Sequence, residues 1–316
     1  MNTTRSAMLN YIFLVVAAVA LWALSTIANA APVAGAPDTD TAAAAFRARH
    51  DALGGQFAVS PFKRPLVLES QHGSHDLKGD IYAVIPHPFA KVNAALGGSE
   101  AWCDVLILHL NTKYCRVERD GAATTLQMNV GKKFDQPLED SYRLAFVWRT
   151  AIQRADYLKV NLIADSGPLG TRNYQITLEA VPLDGGRTFL HLGYAYGFGT
   201  TGNLAMKAYL STIGRNKVGF TVARQDDGGQ PVYVDGMRGL VERNTMRYYL
   251  AIEAYLGALT LPPRAQFEKR INDWFAAVER YPRQLHEMEQ AEYLEMKRKE
   301  YRRQQRDDKA GLPGQG

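Results

Sequence analysis

The chain is 316 residues long, with 37 Lys and Arg against 32 Asp and Glu, and it is 46% hydrophobic and 22% charged. Those values are ordinary for a globular protein that can bury a real core. A net charge of +5 over this length is too diffuse for a nucleic-acid footprint, which excludes nucleic acid as a partner, and leaves room only for loose contact with anionic surfaces.

The N-terminus has the three parts of a secretory signal. Arg5 precedes an apolar stretch from Tyr11 to Leu24, and Ala28-Asn29-Ala30 supplies the small residues of a cleavage site. The apolar stretch is short for a membrane span of about 20 residues. The expectation is a signal peptide over 1–30, cleaved near Ala30, and a periplasmic or secreted mature protein. Removing it takes away Arg5 alone, leaving 36 basic and 32 acidic residues.

Residues 31–76 read as a leader. Ala31–Asp40 is rich in Ala and Pro, and Thr41–Leu53 has the pattern of a short helix stopped by Gly54-Gly55. Leu77–Ile85 is a strand, ended by Pro86-His87-Pro88 because proline cannot donate to a ladder. Phe89–Leu96 and Ser99–Leu110 then read as two short helices parted by Gly97-Gly98, the second apolar enough to be a buried strand instead.

A block of strands follows. In Arg143–Thr150 one parity carries Leu144, Phe146 and Trp148; in Tyr157–Ala164 it carries Leu158, Val160 and Leu162. Asn173–Val181 places Tyr174, Ile176, Leu178 and Ala180 on one side against Gln175, Thr177 and Glu179. Asp184-Gly185-Gly186 is a hairpin turn leading into Thr188–Gly197, with Leu190, Leu192, Tyr194 and Tyr196 together. Polar residues on the other parity predict antiparallel strands covered on one side only. Thr124–Lys132 and Val218–Arg224 are weaker strand candidates.

After Gly239 the period changes to about 3.6. Leu240, Tyr248, Tyr249, Ile252, Tyr255, Leu256 and Leu259 form the apolar stripe of a long helix, with Glu242, Arg243, Arg247 and Glu253 falling mostly elsewhere. Leu261-Pro262-Pro263 stops it, and a second helix is predicted over Arg264–Tyr281. Residues 262–306 form a helical extension whose part from Arg283 to Arg306 interleaves acids and bases as a solvated helix does. A membrane surface or a protein partner is a further use for the 283–306 face. Residues 307–316 are expected to be a disordered tail.

The chain has two cysteines, Cys103 and Cys115. In an oxidising compartment such a pair favours a disulfide, whose loop of about 13 residues is worth roughly 3 kcal/mol in the chain-entropy model. The alternative is two buried thiols acting as small hydrophobes. The spacing is wrong for a zinc knuckle.

The order of strand, two short helices, antiparallel strands and late helix resembles the helix-grip fold of the START and polyketide-cyclase-like (SRPBCC) superfamily, here as an exported bacterial member. Gly79-Asp80-Ile81-Tyr82-Ala83-Val84-Ile85-Pro86-His87-Pro88-Phe89 looks like its first strand and helix, Trp102-Cys103 like part of the second helix, and Gly239-Leu240-Val241-Glu242-Arg243-Asn244 like the start of the gripping helix. The resemblance lies in pattern and spans 77–261. It implies an α+β fold with a cavity between sheet and helix for a lipid or other hydrophobic small molecule. Carried onto this chain, it makes Phe146, Trp148, Leu178, Tyr194, Tyr196, Tyr249 and Ile252 the cavity wall. Some members are enzymes, so catalysis on an apolar substrate is the alternative; a structural or partner-binding role through the C-terminal helices is a third.

No catalytic signature accompanies the fold. Gly197-Phe198-Gly199-Thr200-Thr201-Gly202 matches G-x-G-x-x-G, but the strand before it is half of a hairpin, so no dinucleotide cofactor is expected and the glycines are read as a bend off the sheet toward the cavity. His72, His75 and Asp76 lack further converging ligands, so no metal is expected. Ser60, Ser70 and Ser166 lack a nucleophile-elbow context. Arg149, Asp165, His191, Tyr194 and Tyr196 are the polar groups near the sheet; His191 falls on the parity opposite its strand's apolar set, and His87 and His109 carry no distinguishing context. Tyrosines on both facing surfaces favour an open cavity over a packed core, because each hydroxyl needs a partner.

Overall fold

The structure, a computed structural model, describes residues 39–200, 202, 204, 206, 207 and 215–310. The segment expected to be a signal peptide (1–30), residues 31–38, 201, 203, 205, 208–214 and 311–316 lie outside the described residues. The chain divides into two compact units at Ala42 and Ala43. Of the first, only Thr39–Ala42 is described, as the opening turn of α1 (Thr39–Ala52). The rest of this account concerns the second.

The fold is α+β and of the helix-grip kind. Ten strands are described, β1 (Leu66–His72), β2 (Asp76–Ile85), β3 (Thr112–Asp120), β4 (Ala123–Val130), β5 (Tyr142–Gln153), β6 (Leu158–Ser166), β7 (Thr171–Leu183), β8 (Arg187–Phe198), β9 (Val222–Gln225) and β10 (Pro231–Tyr233). The first eight make one antiparallel sheet in the order β1-β2-β8-β7-β6-β5-β4-β3, and β9 and β10 pair separately. The turn of β7 into β8 needs left-handed backbone at Gly185 (φ +71°) and Gly186 (φ +67°), which glycine adopts without a Cβ penalty. Between β2 and β3 run α3 (Phe89–Leu96) and α4 (Glu100–Leu106), so Ser99–Leu110 is helix rather than strand at its start. A disulfide joins Cys103 of α4 to Cys115 of β3, with Cα atoms 5.2 Å apart.

Two strands of the large sheet, and β10 outside it, carry no sequence expectation. β1 is short and follows Pro65, and β3 turns charged after Cys115 because it forms the sheet's far edge, where alternation has only one packed neighbour to serve. The sheet is also not covered on one side only. From Ala43 onward α1, with α2 (Gly54–Ala58), lies on the outer face: Phe46 stacks on Phe189 of β8 at 4.5 Å, and Leu53 is buried. Gly54-Gly55 therefore interrupts the leader helix without ending helical structure.

The inner face is crossed by α5 (Gly236–Ala258). The helix comes close to β2 because Gly79 has no side chain; a Cβ there would run into the Thr245 hydroxyl, itself tied to the Val241 carbonyl at 2.8 Å. Behind α5 lie α6 (Pro263–Val278), α7 (Pro282–Leu285) and α8 (Gln290–Ala310). They cover Arg247, whose carbonyl accepts from Trp274 at 3.1 Å and whose guanidinium pairs with Glu287 at 2.7 Å; Glu242 and Arg243 are buried instead against Ser70 and the Val218–Thr221 segment, not on an open polar face.

The charged run 283–306 is likewise not a freely solvated helix. One face of α8 buries Tyr293, Met296, Lys297, Glu300 and Gln304. Lys297 and Lys113 share Glu300, at 2.7 and 3.0 Å, and the Gln304 side chain accepts the Cys115 N–H of the edge strand at 3.3 Å. The interleaved charges hid this because a buried ion cluster and a solvated face use the same residue types. The helix also runs to Ala310, into the segment expected to be a tail.

Removing Glu300 leaves both ammoniums buried without their carboxylate. Glu300→Ala is expected to cost about 3–5 kcal/mol, whereas the exposed Glu295→Ala on the same helix stays within about 0.5 kcal/mol. Urea midpoints measure both, and a Glu300→Ala loss no larger than that of Glu295→Ala would mean the helix is not docked in this way.

Candidate functional site

α5 covers the inner face incompletely. A cavity of about 260 Å³ remains between its N-terminal half and the sheet. β4 and β5 supply Met128, Val130, Leu144 and Phe146; β7 and β8 supply Tyr174, Tyr194 and Tyr196; α5 presents Leu240, Asn244 and Tyr248, spaced four residues apart on one face. His109 and Asn111 enter from the turn between α4 and β3, while Leu169 and Thr171 close another side with Gly202 and Met206.

Of the residues expected in the wall, the structure brings Phe146, Tyr194 and Tyr196 together and leaves the other four out. Trp148 sits edge-on to Trp102 of α4 at 6.4 Å. Leu178 lies in the packed inner row of β7. Tyr249 and Ile252 are one and four residues on from Tyr248 and lie outside the cavity lining; Tyr249 donates to Glu253 at 2.7 Å, with the Arg64 guanidinium 5.2 Å from its ring. The stripe was legible, but which part of its arc meets open space depends on the Gly79–Thr245 approach, and period alone does not report that.

The tyrosines form an aromatic wall. Tyr174 stacks on Tyr196 at 5.2 Å, and Tyr194 is 5.2 Å from Tyr248 across the sheet-to-helix gap. Tyr174 donates to Thr171 Oγ1 at 2.8 Å, and Tyr196 has only a weak contact with Met206 Sδ at 3.7 Å. The Tyr194 and Tyr248 hydroxyls have no hydrogen-bond partner among the described residues. Burial, reinforced by the neighbouring phenols, pushes the Tyr194 phenol well above its ordinary range, and Tyr248 rises for the same reason.

His109 is the wall residue that nothing in its sequence context singles out. Its ring is buried and stacks on Tyr248 at 4.6 Å. Nδ1 accepts the Asn111 N–H at 3.2 Å. Desolvation, followed by the nearby Arg247, Lys297, Lys133 and Lys113 cations, holds the imidazole well below the usual histidine range, so it is neutral. A neutral ring that accepts at Nδ1 carries its hydrogen on Nε2, and Nε2 is buried with no partner. Only the fold reveals this, because the cations come from α5, α8 and the 113–133 region of the chain.

A second polar cluster lies on the outer face. His191 is 2.8 Å from Asp80 through Nε2 and 3.3 Å from Glu179 through Nδ1, with Tyr82 stacked on the ring at 4.5 Å. Burial alone would lower the His191 pKa, but the two carboxylates raise it; against the same burial, His191, Tyr157 and Lys159 bring Glu179 down to about 2, and His191 holds Asp80 low. The carboxylates occupy opposite nitrogens, so the trio holds a proton between strands. His191 is thus a buried, hydrogen-bonded sheet residue away from the cavity. Arg149 and Asp165 are exposed, and neither lines the cavity.

No protein-family model matches the chain, and no curated protein matches it. Among solved structures it is similar to the Zhui aromatase/cyclase from Streptomyces sp. R1128, at 10% identity over 66% of this chain and 96% of that one, with a TM-score of 0.30. It is similar to norcoclaurine synthase from Thalictrum flavum, at 15% identity over 47% and 90%, TM-score 0.29, and to Ara h 8.0201, at 13% identity over 58% and 99%, TM-score 0.35. Likenesses at these scores carry no argument; fold and site stand on the strand order and the side chains described above.

His191 gains a charge-stabilised place on folding, so its contribution is fully present below its unfolded pKa of about 6.5 and is lost as pH rises through the raised folded value. The stability difference between wild type and His191→Gln should therefore be largest near pH 6 and shrink toward pH 9, in urea titrations run across that range. A difference that grows with pH would remove the charged His191 from this account.

Proposed function

We propose that the chain is an exported binding protein, periplasmic or secreted, that holds a compact hydrophobic small molecule between its sheet and α5. The observation that carries this is the 260 Å³ cavity walled by Phe146, Tyr174, Tyr194, Tyr196 and Tyr248. Small-molecule sites run from about 300 to 1,000 Å³, so the ligand sits at the small end of that class, nearer a one- or two-ring molecule than a long acyl chain. The export part of the reading is supported by the Arg5, Tyr11–Leu24 and Ala28–Ala30 pattern. Contact of the extension with a membrane surface or a protein partner would have to use the outer face of α8, since its inner face is engaged by the domain.

Catalysis in the same cavity is the second reading. It is favoured by one observation, the neutral His109 beside phenols of raised pKa, since strongly shifted groups in a cleft mark functional sites. Binding remains the better account because no nucleophile and base stand in hydrogen-bond contact among the described wall residues.

N-phenyl-1-naphthylamine, which brightens in apolar surroundings, should bind the purified protein, and Leu240→Trp should weaken that binding at least about tenfold by filling the cavity. Equal fluorescence titrations for wild type and a folded Leu240→Trp would place the probe elsewhere and sink the cavity reading. Intact mass of the protein recovered from an exporting host should correspond to a chain beginning at Ala31; a full-length mass would withdraw the signal peptide.

A further inference from the structure

Three side chains of the cavity wall that can donate a hydrogen bond have no partner for it among the described residues, and their rings adjoin one another. His109 presents a buried Nε2–H without an acceptor, and its ring is stacked on Tyr248, whose hydroxyl is also unpartnered among the described residues, as is that of Tyr194 facing Tyr248 across the gap. No carboxylate is among the described wall residues. A buried donor left unmade is costly, so an acceptor from outside the chain is favoured at this point.

The surroundings bias what that acceptor is. Behind the ring, Arg247, Lys133 and Lys217 converge on Glu287, and Lys113 and Lys297 on Glu300. Burial first, and these cations after it, keep the imidazole neutral; the Asn111 N–H on Nδ1 leaves its hydrogen on Nε2, and the cations favour partial or full negative charge on whatever oxygen approaches. The carbonyls of the turn itself are taken: Lys297 Nζ binds those of His109 and Thr112 at 2.7 and 3.0 Å, and Tyr293 OH binds that of Leu108 at 2.9 Å. The donor is thus held in place from α8.

Resting on the cavity-binding reading above, we propose that His109 Nε2–H, with the Tyr194 and Tyr248 hydroxyls, is the specificity-determining point of the cavity, and that the ligand is a compact ring-bearing molecule with a carbonyl or carboxylate oxygen. The rings of Tyr174 and Tyr196 take its apolar part, and the oxygen accepts from His109. His109 acts by contact with the ligand, while Lys297 and Tyr293 act as positioning residues through the turn.

The test uses two probes of one shape, 2-acetylnaphthalene and 2-ethylnaphthalene, titrated calorimetrically into the full chain. Wild type should bind the ketone about tenfold more tightly, the worth of one buried hydrogen bond. His109→Leu should abolish that preference while keeping 2-ethylnaphthalene within about twofold, and His109→Gln, which keeps a donor, should retain part of it. Equal binding of the two probes to wild type would overturn the His109 role and leave the cavity reading standing; no binding of either would overturn both. Should His109→Leu fail to fold, the wild-type imidazole decides it in a two-bond ¹H–¹⁵N spectrum. There His109 should appear as the Nε2–H tautomer and shift with the ketone only; a resonance unmoved by the ketone overturns the proposal.

Discussion

Two lysines and one glutamate hold the far side of this protein together. Lys113 reaches in from β3, Lys297 and Glu300 from α8, and all three are buried. Burying ammoniums is costly, and desolvation pushes Lys297 down to about 8, so the cluster persists only because each charge is answered by Glu300 and by turn carbonyls. Those carbonyls belong to residues 109–112. The same cluster that docks the C-terminal helix therefore fixes the turn carrying His109. The disulfide from α4 to β3 ties down that turn from its other side.

The docking has a second consequence. An α5 exposed on its back would need a polar stripe there, and the sequence shows Glu242, Arg243 and Arg247 as though it had one. With the 218–221 segment packed on Glu242 and Arg243, and the extension on Arg247, these residues become internal connectors. Glu242 accepts the Phe220 and Thr221 N–H groups at 2.6 and 3.0 Å and the Ser70 hydroxyl at 2.5 Å, and Arg247 reaches Glu287 and the Leu285 carbonyl. The extension that lies outside the helix-grip pattern is thus bound to the grip by its most polar residues.

Much of the architecture was legible from period alone. The inward rows of β5 to β8, the hairpin at Gly185-Gly186 and the long helix after residue 236 follow from alternation, turn chemistry and a 3.6-residue stripe. What escaped had a common cause: polar residues were read as solvated. β3 was missed because its edge half is charged; α8 was read as a free helix because ion pairs in a core and on a surface look alike in sequence. The outer face of the sheet was read as open although Asp80, His191 and Glu179 satisfy one another beneath it. In the site, Phe146, Tyr194 and Tyr196 were in the wall that the family resemblance implied, and each lies on the inward parity of its strand. His109 was not, since its neutrality comes from burial and from cations on α5, α8 and the 113–133 region, which only the fold gathers around it.

The cavity's size and its chemistry also bear on each other. A void of this kind costs the surrounding wall its contacts, so a chain selected for stability alone would fill it with Leu or Phe. This one leaves the space open and lines it with tyrosines whose rings adjoin one another, while two of their hydroxyls lack partners among the described residues. It then spends a buried ion cluster on holding one histidine at the edge of that space. Both departures from an economical core fall at the same end of α5, while the middle of the helix, at Gly79 and Thr245, is packed as tightly as a missing Cβ permits. The ligand proposed above, with a ring and an oxygen, would relieve both costs together.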